Sequence, residues 1–120
     1  MKLGEVGFLT NDVIRLADFY KFLLGTDNGS GDGVHQTIIA EETMLTIYND
    51  GTVKNNQNQN ICIAFTVDNV DEEYERLLEK GMKIIDKPIT RPWGARNMSL
   101  LDPDGNTVYL RSFPENVKEG

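Results

Sequence analysis

The feature that most constrains the fold of this chain is an internal repeat. A helix-capping aspartate occurs at Asp12 and at Asp68, 56 positions apart, and a helix-closing glycine occurs at Gly25 and at Gly81, also 56 positions apart. Each pair encloses apolar residues at helical spacing, and strand-forming runs lie before and after it. Because a module of about 50 residues is too small to bury a core alone, the repeat predicts two strand–helix–strand–strand–strand copies within one domain.

The turn-forming residues set the expected boundaries of the two copies. We predict one domain over residues 1–120, made of a first module at 1–50, a polar linker at 51–60 and a second module at 61–115. The expected strands lie at 2–10, 34–40 and 43–48 in the first module, and at 61–67, 82–86, 97–101 and 107–112 in the second. Residues 27–33 are expected to form a turn and residues 87–95 a loop, because both are rich in turn-forming or helix-breaking types.

Charge and cysteine content exclude several classes of function. The chain has 19 acidic and 12 basic side chains, for a net charge of -7, so we expect no nucleic-acid partner and no anionic membrane partner. It has no apolar run near the roughly 20 residues of a membrane span. A single Cys prevents an intramolecular disulfide, and with no signal-peptide pattern at the start the expected location is the cytoplasm.

Three local motifs accompany the repeat. They are Asp18–Tyr20 with Leu23–Gly25, Phe65–Val70, and Pro92–Arg96 leading to Asp102–Asn106. With the order of the elements, these motifs resemble the vicinal-oxygen-chelate superfamily, which includes glyoxalase I, bleomycin-resistance proteins, fosfomycin-resistance enzymes and extradiol dioxygenases. The resemblance implies an α+β fold in which two βαβββ modules form a curved mixed sheet, an open barrel of eight strands. It does not imply one activity, because this fold hosts lyases, transferases, dioxygenases and binding proteins.

The resemblance also implies four metal-ligand positions, one on each of the first, fourth, fifth and eighth strands. Metal-dependent members usually have His or Gln, Glu, His and Glu there, whereas this chain has Glu5, Leu45, Cys62 and Tyr109. A leucine cannot bind a metal, and a neutral thiol and a phenol are poor ligands. We therefore expect no metal and no other cofactor. Glu5 remains a weak catalytic candidate, either a base or a partner for a cation if it faces a cavity, or a solvated residue at the strand start.

Alternation on the strands predicts which side chains could contact a ligand. On the last strand Val108 and Leu110 should pack under the helices, whereas Tyr109 and Arg111 should face the open side of the sheet. Trp93 lies on a loop and is expected either at the mouth of a groove or at a subunit interface. Arg111 is expected either to bind a ligand or to pair with Glu5. The predicted ligand-binding residues are Leu45, Ile47, Cys62, Ala64, Thr66, Trp93, Tyr109 and Arg111.

These observations favour a protein that binds a small organic molecule in a concave groove without metal, of which antibiotic sequestration is one form. The acidic net charge favours a cationic ligand. The alternatives are a metal-dependent glyoxalase-like lyase or dioxygenase, and a scaffold or regulatory subunit with no ligand. We also expect a homodimer, because each module has sheet edges that would otherwise stay unpaired.

Overall fold

The chain folds as two compact units that correspond to the two predicted modules. The computed structural model describes residues 1–27, 29–55 and 61–114. The units are Met1–Gln57 and Asn58–Gly120, and part of the predicted linker, residues 56–60, lies outside the described residues. The first unit contains β1 (Glu5–Leu9), α1 (Val13–Leu24), β2 (Ser30–Gly31), β3 (His35–Ile39) and β4 (Met44–Tyr48). The second contains β5 (Cys62–Thr66), α2 (Val70–Glu79), β6 (Ile84–Thr90), β7 (Arg96–Leu101) and β8 (Thr107–Ser112).

The two units have the same topology, which confirms the predicted repeat and the α+β class. The strand order is β1-β4-β3-β2 in one sheet and β5-β8-β7-β6 in the other. In each sheet the first strand pairs in parallel with the last, and the remaining pairs are antiparallel. Each helix therefore connects the first strand, at one edge of its sheet, to the second strand, at the opposite edge.

The helices begin close to the predicted caps, with one correction. The carboxylate of Asp12 accepts a hydrogen bond from the backbone N–H three residues later at 3.2 Å. In the second unit the cap is Asn69, whose side-chain oxygen accepts two N–H groups of the first turn at 3.0 and 3.2 Å, so the prediction of Asp68 is wrong by one residue. Gly25 and Gly81 follow the two helices at φ values of 67° and 82°, which are the left-handed values that end a helix.

The sequence also predicted a turn and a loop at two places where the structure has strand residues. The segment 27–33 was expected to be only a turn, but Ser30–Gly31 pairs with β3 as the short strand β2. The loop expected at 87–95 begins late, because β6 continues through Pro88 to Thr90. A proline is tolerated there because β6 is an edge strand, and two register shifts interrupt its pairing with β7.

In the first unit, the helix packs on the face of the sheet that carries Leu45 and Ile47. These two side chains are 1% and 0% exposed. Phe8 lies opposite Ile47 on the neighbouring parallel strand, and its ring stacks on that of Tyr20 in α1 with centroids 4.9 Å apart. The prediction that Leu45 and Ile47 line an open groove is therefore wrong, because both are core residues under α1. The open face of β4 instead carries Met44, Thr46 and Tyr48.

In the second unit the predicted alternation on β8 is confirmed. Val108 and Leu110 are 0% and 2% exposed, and they lie opposite Leu100 and Met98 of β7, which are also buried. Each of these side chains removes apolar surface from water, which is the main stabilising contribution to a fold of this size. The intervening residues of β8 therefore point to the other face of the sheet.

Candidate ligand-binding site

The open face of the second sheet brings together polar side chains from three neighbouring strands. Tyr109 and Arg111 of β8 lie opposite Ala64 and Thr66 of β5, and Arg111 also lies opposite Asn97 of β7. Residues directly opposite each other on neighbouring strands present their side chains on the same face. The register therefore places these five residues on one continuous surface.

The loop between β6 and β7 closes one side of this surface. The backbone N–H of Arg91 donates to the carbonyl of Ala95 at 2.8 Å, and the N–H of Gly94 donates to the carbonyl of Arg91 at 3.0 Å. Gly94 has a φ of 102°, a value that side-chain-bearing residues rarely adopt. This tight turn presents Trp93 outward, with 71% of the residue exposed.

A cavity of about 420 Å³ lies between the loop and the open face. Its volume is in the range of small-molecule sites, which is about 300–1,000 Å³. Four of its lining residues were predicted from the sequence, and three were missed. The predicted ones are Ala64, Trp93, Tyr109 and Arg111, and the missed ones are Arg91, Ala95 and Asn97.

Of the three missed residues, one had a signal in the sequence. Asn97 is the first open-face position of a strand that was predicted correctly, and alternation along β7 would have found it. Arg91 and Ala95 lie on the loop, where no periodicity applies, so their side chains could be placed only by the hydrogen bonds of the turn.

Hydrogen bonds hold the two cavity arginines in position. Arg91 Nε donates to Asn97 Oδ1 at 2.9 Å, and Arg111 Nε donates to Thr66 Oγ1 at 3.0 Å. The guanidinium carbon of Arg111 also lies 5.2 Å from the ring centroid of Phe113, a cation–π distance. Each guanidinium is therefore anchored through one nitrogen, and its two terminal nitrogens remain the groups that a ligand could contact.

The other predicted site residues lie outside the cavity lining. Thr66 supports Arg111 from the same face, and Cys62 is an exposed residue at the start of β5, opposite Thr107. Glu5 is the exposed first residue of β1 in the first unit. This position agrees with the solvated alternative for Glu5 rather than with a buried base.

The residues present do not fit the metal site of the metal-dependent relatives. Leu45 is buried under α1, and its open-face neighbours Met44 and Thr46 are not the carboxylate expected there. Cys62 and Tyr109 supply a thiol and a phenol where an imidazole and a carboxylate are expected. Across residues 1–27, 29–55 and 61–114, no three His, Cys, Asp or Glu side chains are grouped as metal ligands.

A third arginine of this region faces away from the cavity. Arg96 binds Asp71 at the start of α2 through two nitrogens, with Nε–Oδ2 and Nη2–Oδ1 distances of 2.8 and 2.9 Å, and its remaining nitrogen donates to Thr90 at 3.1 Å. The hydrogen bond from Arg96 lowers the pKa of Asp71 below its ordinary value, and the same bond raises the pKa of Arg96. This two-point ion pair between Arg96 and Asp71 joins the first residue of β7 to the first turn of α2.

The sequence profile of the Glyoxalase/Bleomycin resistance protein/Dioxygenase superfamily matches residues 2–110 of the chain. The protein belongs to this superfamily. The match covers most of both modules, so the resemblance drawn from the sequence motifs is confirmed.

Individual relatives of the superfamily agree with this assignment. The chain is 30% identical over 127 residues to the uncharacterized protein YraH of Bacillus subtilis (strain 168), covering 92% of this chain and 97% of that protein. A superfamily member from Nocardioides has a similar structure, with a TM-score of 0.79 at 19% identity over 96% of this chain and 85% of that one. The fosfomycin resistance protein FosX of Listeria monocytogenes has a TM-score of 0.75 at 16% identity over 98% of both chains. At these identities, the two structures support the fold alone.

None of the helices in the described part of the chain is both long and apolar enough to span a membrane.

Proposed function

We propose that this superfamily member binds a small organic molecule in the cavity on the open face of its second sheet, and that no metal takes part. The observation that carries the proposal is the composition of the cavity lining. An indole, a phenol, two guanidinium groups and an amide converge on about 420 Å³ of space. Small-molecule sites typically combine apolar or aromatic surface with a few fixed polar groups of this kind.

The rigidity of the lining supports binding at this place. The polar groups lie on paired strands or on a turn closed by two backbone hydrogen bonds, and both arginines are anchored by side-chain hydrogen bonds. Side chains that are already ordered lose less conformational entropy when a ligand binds. Binding of this type needs no catalytic group, and sequestration of a toxic compound is one activity that it would support.

A thermal-shift screen of small metabolites and antibiotics tests the proposal. A compound that binds only the native state at a hundred times its Kd stabilises the protein by about 2.7 kcal/mol, which is a shift of several degrees in Tm. Tyr109→Ala should weaken such a compound by roughly tenfold or more, because a lost stacking partner costs about 1–3 kcal/mol. Thr107→Ala is the matched control, since Thr107 lies on the same face of β8 but does not line the cavity. Equal weakening by both variants would contradict the proposed location.

Elemental analysis tests the metal-independent part of the proposal. The purified protein should retain no stoichiometric Zn, Ni, Fe or Mn after dialysis, because the four family positions supply at most a carboxylate, a thiol and a phenol. One equivalent of any of these metals, lost from a Glu5→Gln or Cys62→Ser variant, would favour the metal-dependent lyase or dioxygenase alternative.

A further inference from the structure

The cavity has a local charge opposite to that of the whole chain. The protein carries a net charge of -7, yet among the described residues the cavity lining contains two arginines and no Asp or Glu. Within the described part of the second unit, neither Arg91 nor Arg111 lies within 4 Å of a carboxylate, whereas Arg76 and Arg96 are both paired with acidic residues. Among the described residues of this unit, the two arginines that face the cavity are thus the ones with no carboxylate within 4 Å.

Both guanidinium groups line the same cavity, and each is held by a side chain of a neighbouring strand. Arg111 lies opposite Asn97 on the neighbouring strand, and Arg91 Nε donates to the amide oxygen of the same Asn97 at 2.9 Å. Because both arginines use Nε for an internal hydrogen bond, their terminal nitrogens keep their N–H donors for another acceptor. Two guanidinium groups that line one cavity present several donors to the oxygens of an anionic group bound there.

Aromatic side chains border the same positive region. Trp93 is largely exposed at the mouth of the cavity, and Tyr109 lies two residues from Arg111 on the same face of β8. Indole and phenol rings offer flat surfaces on which a planar ligand can stack. An indole exposed to water also gains apolar burial when a ring covers it.

We infer that the ligand class of this cavity is a planar aromatic anion, such as an aromatic carboxylate, with the anionic group between Arg91 and Arg111 and the ring against Trp93 and Tyr109. This inference rests on the proposed function, since it names the chemistry of the molecule bound there. It replaces the expectation of a cationic ligand. That expectation came from the net charge, which describes the field of the whole protein, whereas selectivity depends on the groups that touch the ligand.

A matched series of probes tests this inference by nuclear magnetic resonance. The probes are 2-naphthoate, 2-naphthamide and 2-naphthylmethylammonium, which have the same ring system and carry negative, neutral and positive groups. Trp93 is the only tryptophan, so a ¹⁵N-labelled sample gives one indole N–H signal, which reports directly on the mouth of the cavity. We expect 2-naphthoate to shift this signal saturably, with an affinity at least about tenfold above that of the amide, because hydrogen bonds to a charged group are stronger than neutral ones.

Arginine variants locate the selectivity. Arg91→Gln and Arg111→Gln should each reduce the preference for 2-naphthoate over 2-naphthamide, and the double variant should abolish it with little change in the affinity for the amide. Arg96→Gln is the control, because it removes the same charge from the same region while Arg96 binds Asp71 outside the cavity. Added salt should weaken 2-naphthoate more than 2-naphthamide.

The possible results separate the two proposals. Equal affinities for 2-naphthoate and 2-naphthamide, or the same loss of preference in Arg96→Gln as in Arg111→Gln, would overturn the anionic class and leave the cavity as a binding site. Tightest binding of 2-naphthylmethylammonium would overturn it in favour of a cationic ligand. If none of the three probes gave a saturable shift of the indole signal, the inference would fail, and the thermal-shift screen would then decide the proposed function separately.

Discussion

The assignment of faces on β8 leads to a prediction about two adjacent residues. Leu110 is 2% exposed and packs on the helix side of the second sheet, whereas Tyr109 lies on the open face and lines the cavity. Leu110→Ala should therefore destabilise the protein strongly, and Tyr109→Ala should destabilise it weakly. The two substitutions occur at neighbouring positions of the same strand, so their position in the sheet is nearly the same.

The expected difference follows from the groups that each substitution removes. Leu110→Ala deletes three buried carbons, which is about 2.4 kcal/mol of transfer free energy at about 0.8 kcal/mol per carbon. The cavity that remains raises the cost to about 3 kcal/mol or more, within the range of about 2–5 kcal/mol for buried leucines. Tyr109→Ala removes a ring that water partly covers in the native state, so its cost should be about 1 kcal/mol or less.

Urea denaturation followed by far-ultraviolet circular dichroism measures both costs. With a slope of about 1.5 kcal/mol per molar urea, Leu110→Ala should lower the midpoint by about 2 M, and Tyr109→Ala by well under 1 M. An equal midpoint for the two variants, or a lower one for Tyr109→Ala, would mean that the faces are inverted. The cavity residues on β5 and β8 would then be core residues, and the proposed ligand site would be lost with them.

Three further predictions concern the rest of the molecule. Arg96 holds the pKa of Asp71 below its ordinary value, so their pairing should stabilise the fold above the ordinary carboxyl pKa and be lost as the pH falls through the lowered one. Asp71→Asn should cost about 0.2–1 kcal/mol in urea titrations at pH 7 and less in strong acid, and the same cost at both pH values would contradict this role. Gly31→Ala should destabilise the first unit by about 1–3 kcal/mol, because Gly31 has a φ of 141° and an added Cβ would collide with the carbonyl of His35; an unchanged Tm would count against the β2–β3 pairing. Light scattering at micromolar concentration should give the mass of two chains, and a monomer would refute the expected homodimer.

The sequence predicted the strand faces of the second unit better than those of the first. The reason is that polar and apolar residues alternate clearly on β8 but not on β4. In β8, polar and apolar residues alternate from Thr107 to Arg111, so one face is apolar and the other is not. In β4, large apolar side chains occupy both faces, with Leu45 and Ile47 on one side and Met44 and Tyr48 on the other. With apolar residues on both faces, only the position of α1 decides which face is buried, and that is a tertiary contact that no local pattern encodes.

The loop errors have a different physical origin. Pro88 and Pro92 made residues 87–95 look like a continuous loop, because a proline removes a backbone donor. An edge strand needs only one row of hydrogen bonds, so β6 accommodates Pro88. The same late end of β6 makes the loop short and brings Arg91 to the cavity. Arg91, one of the two arginines that line the cavity, was therefore missed because it follows the strand boundary that the sequence predicted least well.

The two modules show why the superfamily fold does not by itself determine a ligand. They share one strand order, and in both the helix-facing residues are apolar because they must exclude water. The residues on the open faces do not have to exclude water, and they differ between the two sheets. On the first sheet, apolar and aromatic residues are exposed there, whereas the second sheet presents an anchored set of polar and charged groups. These residues are Leu9, Ile39, Met44 and Tyr48 in the first unit and Thr66, Asn97, Tyr109 and Arg111 in the second. Substitutions on the open face of the second sheet should therefore alter binding at the proposed site at little cost to stability. The ligand chemistry of that site has to be inferred from this face rather than from the shared core.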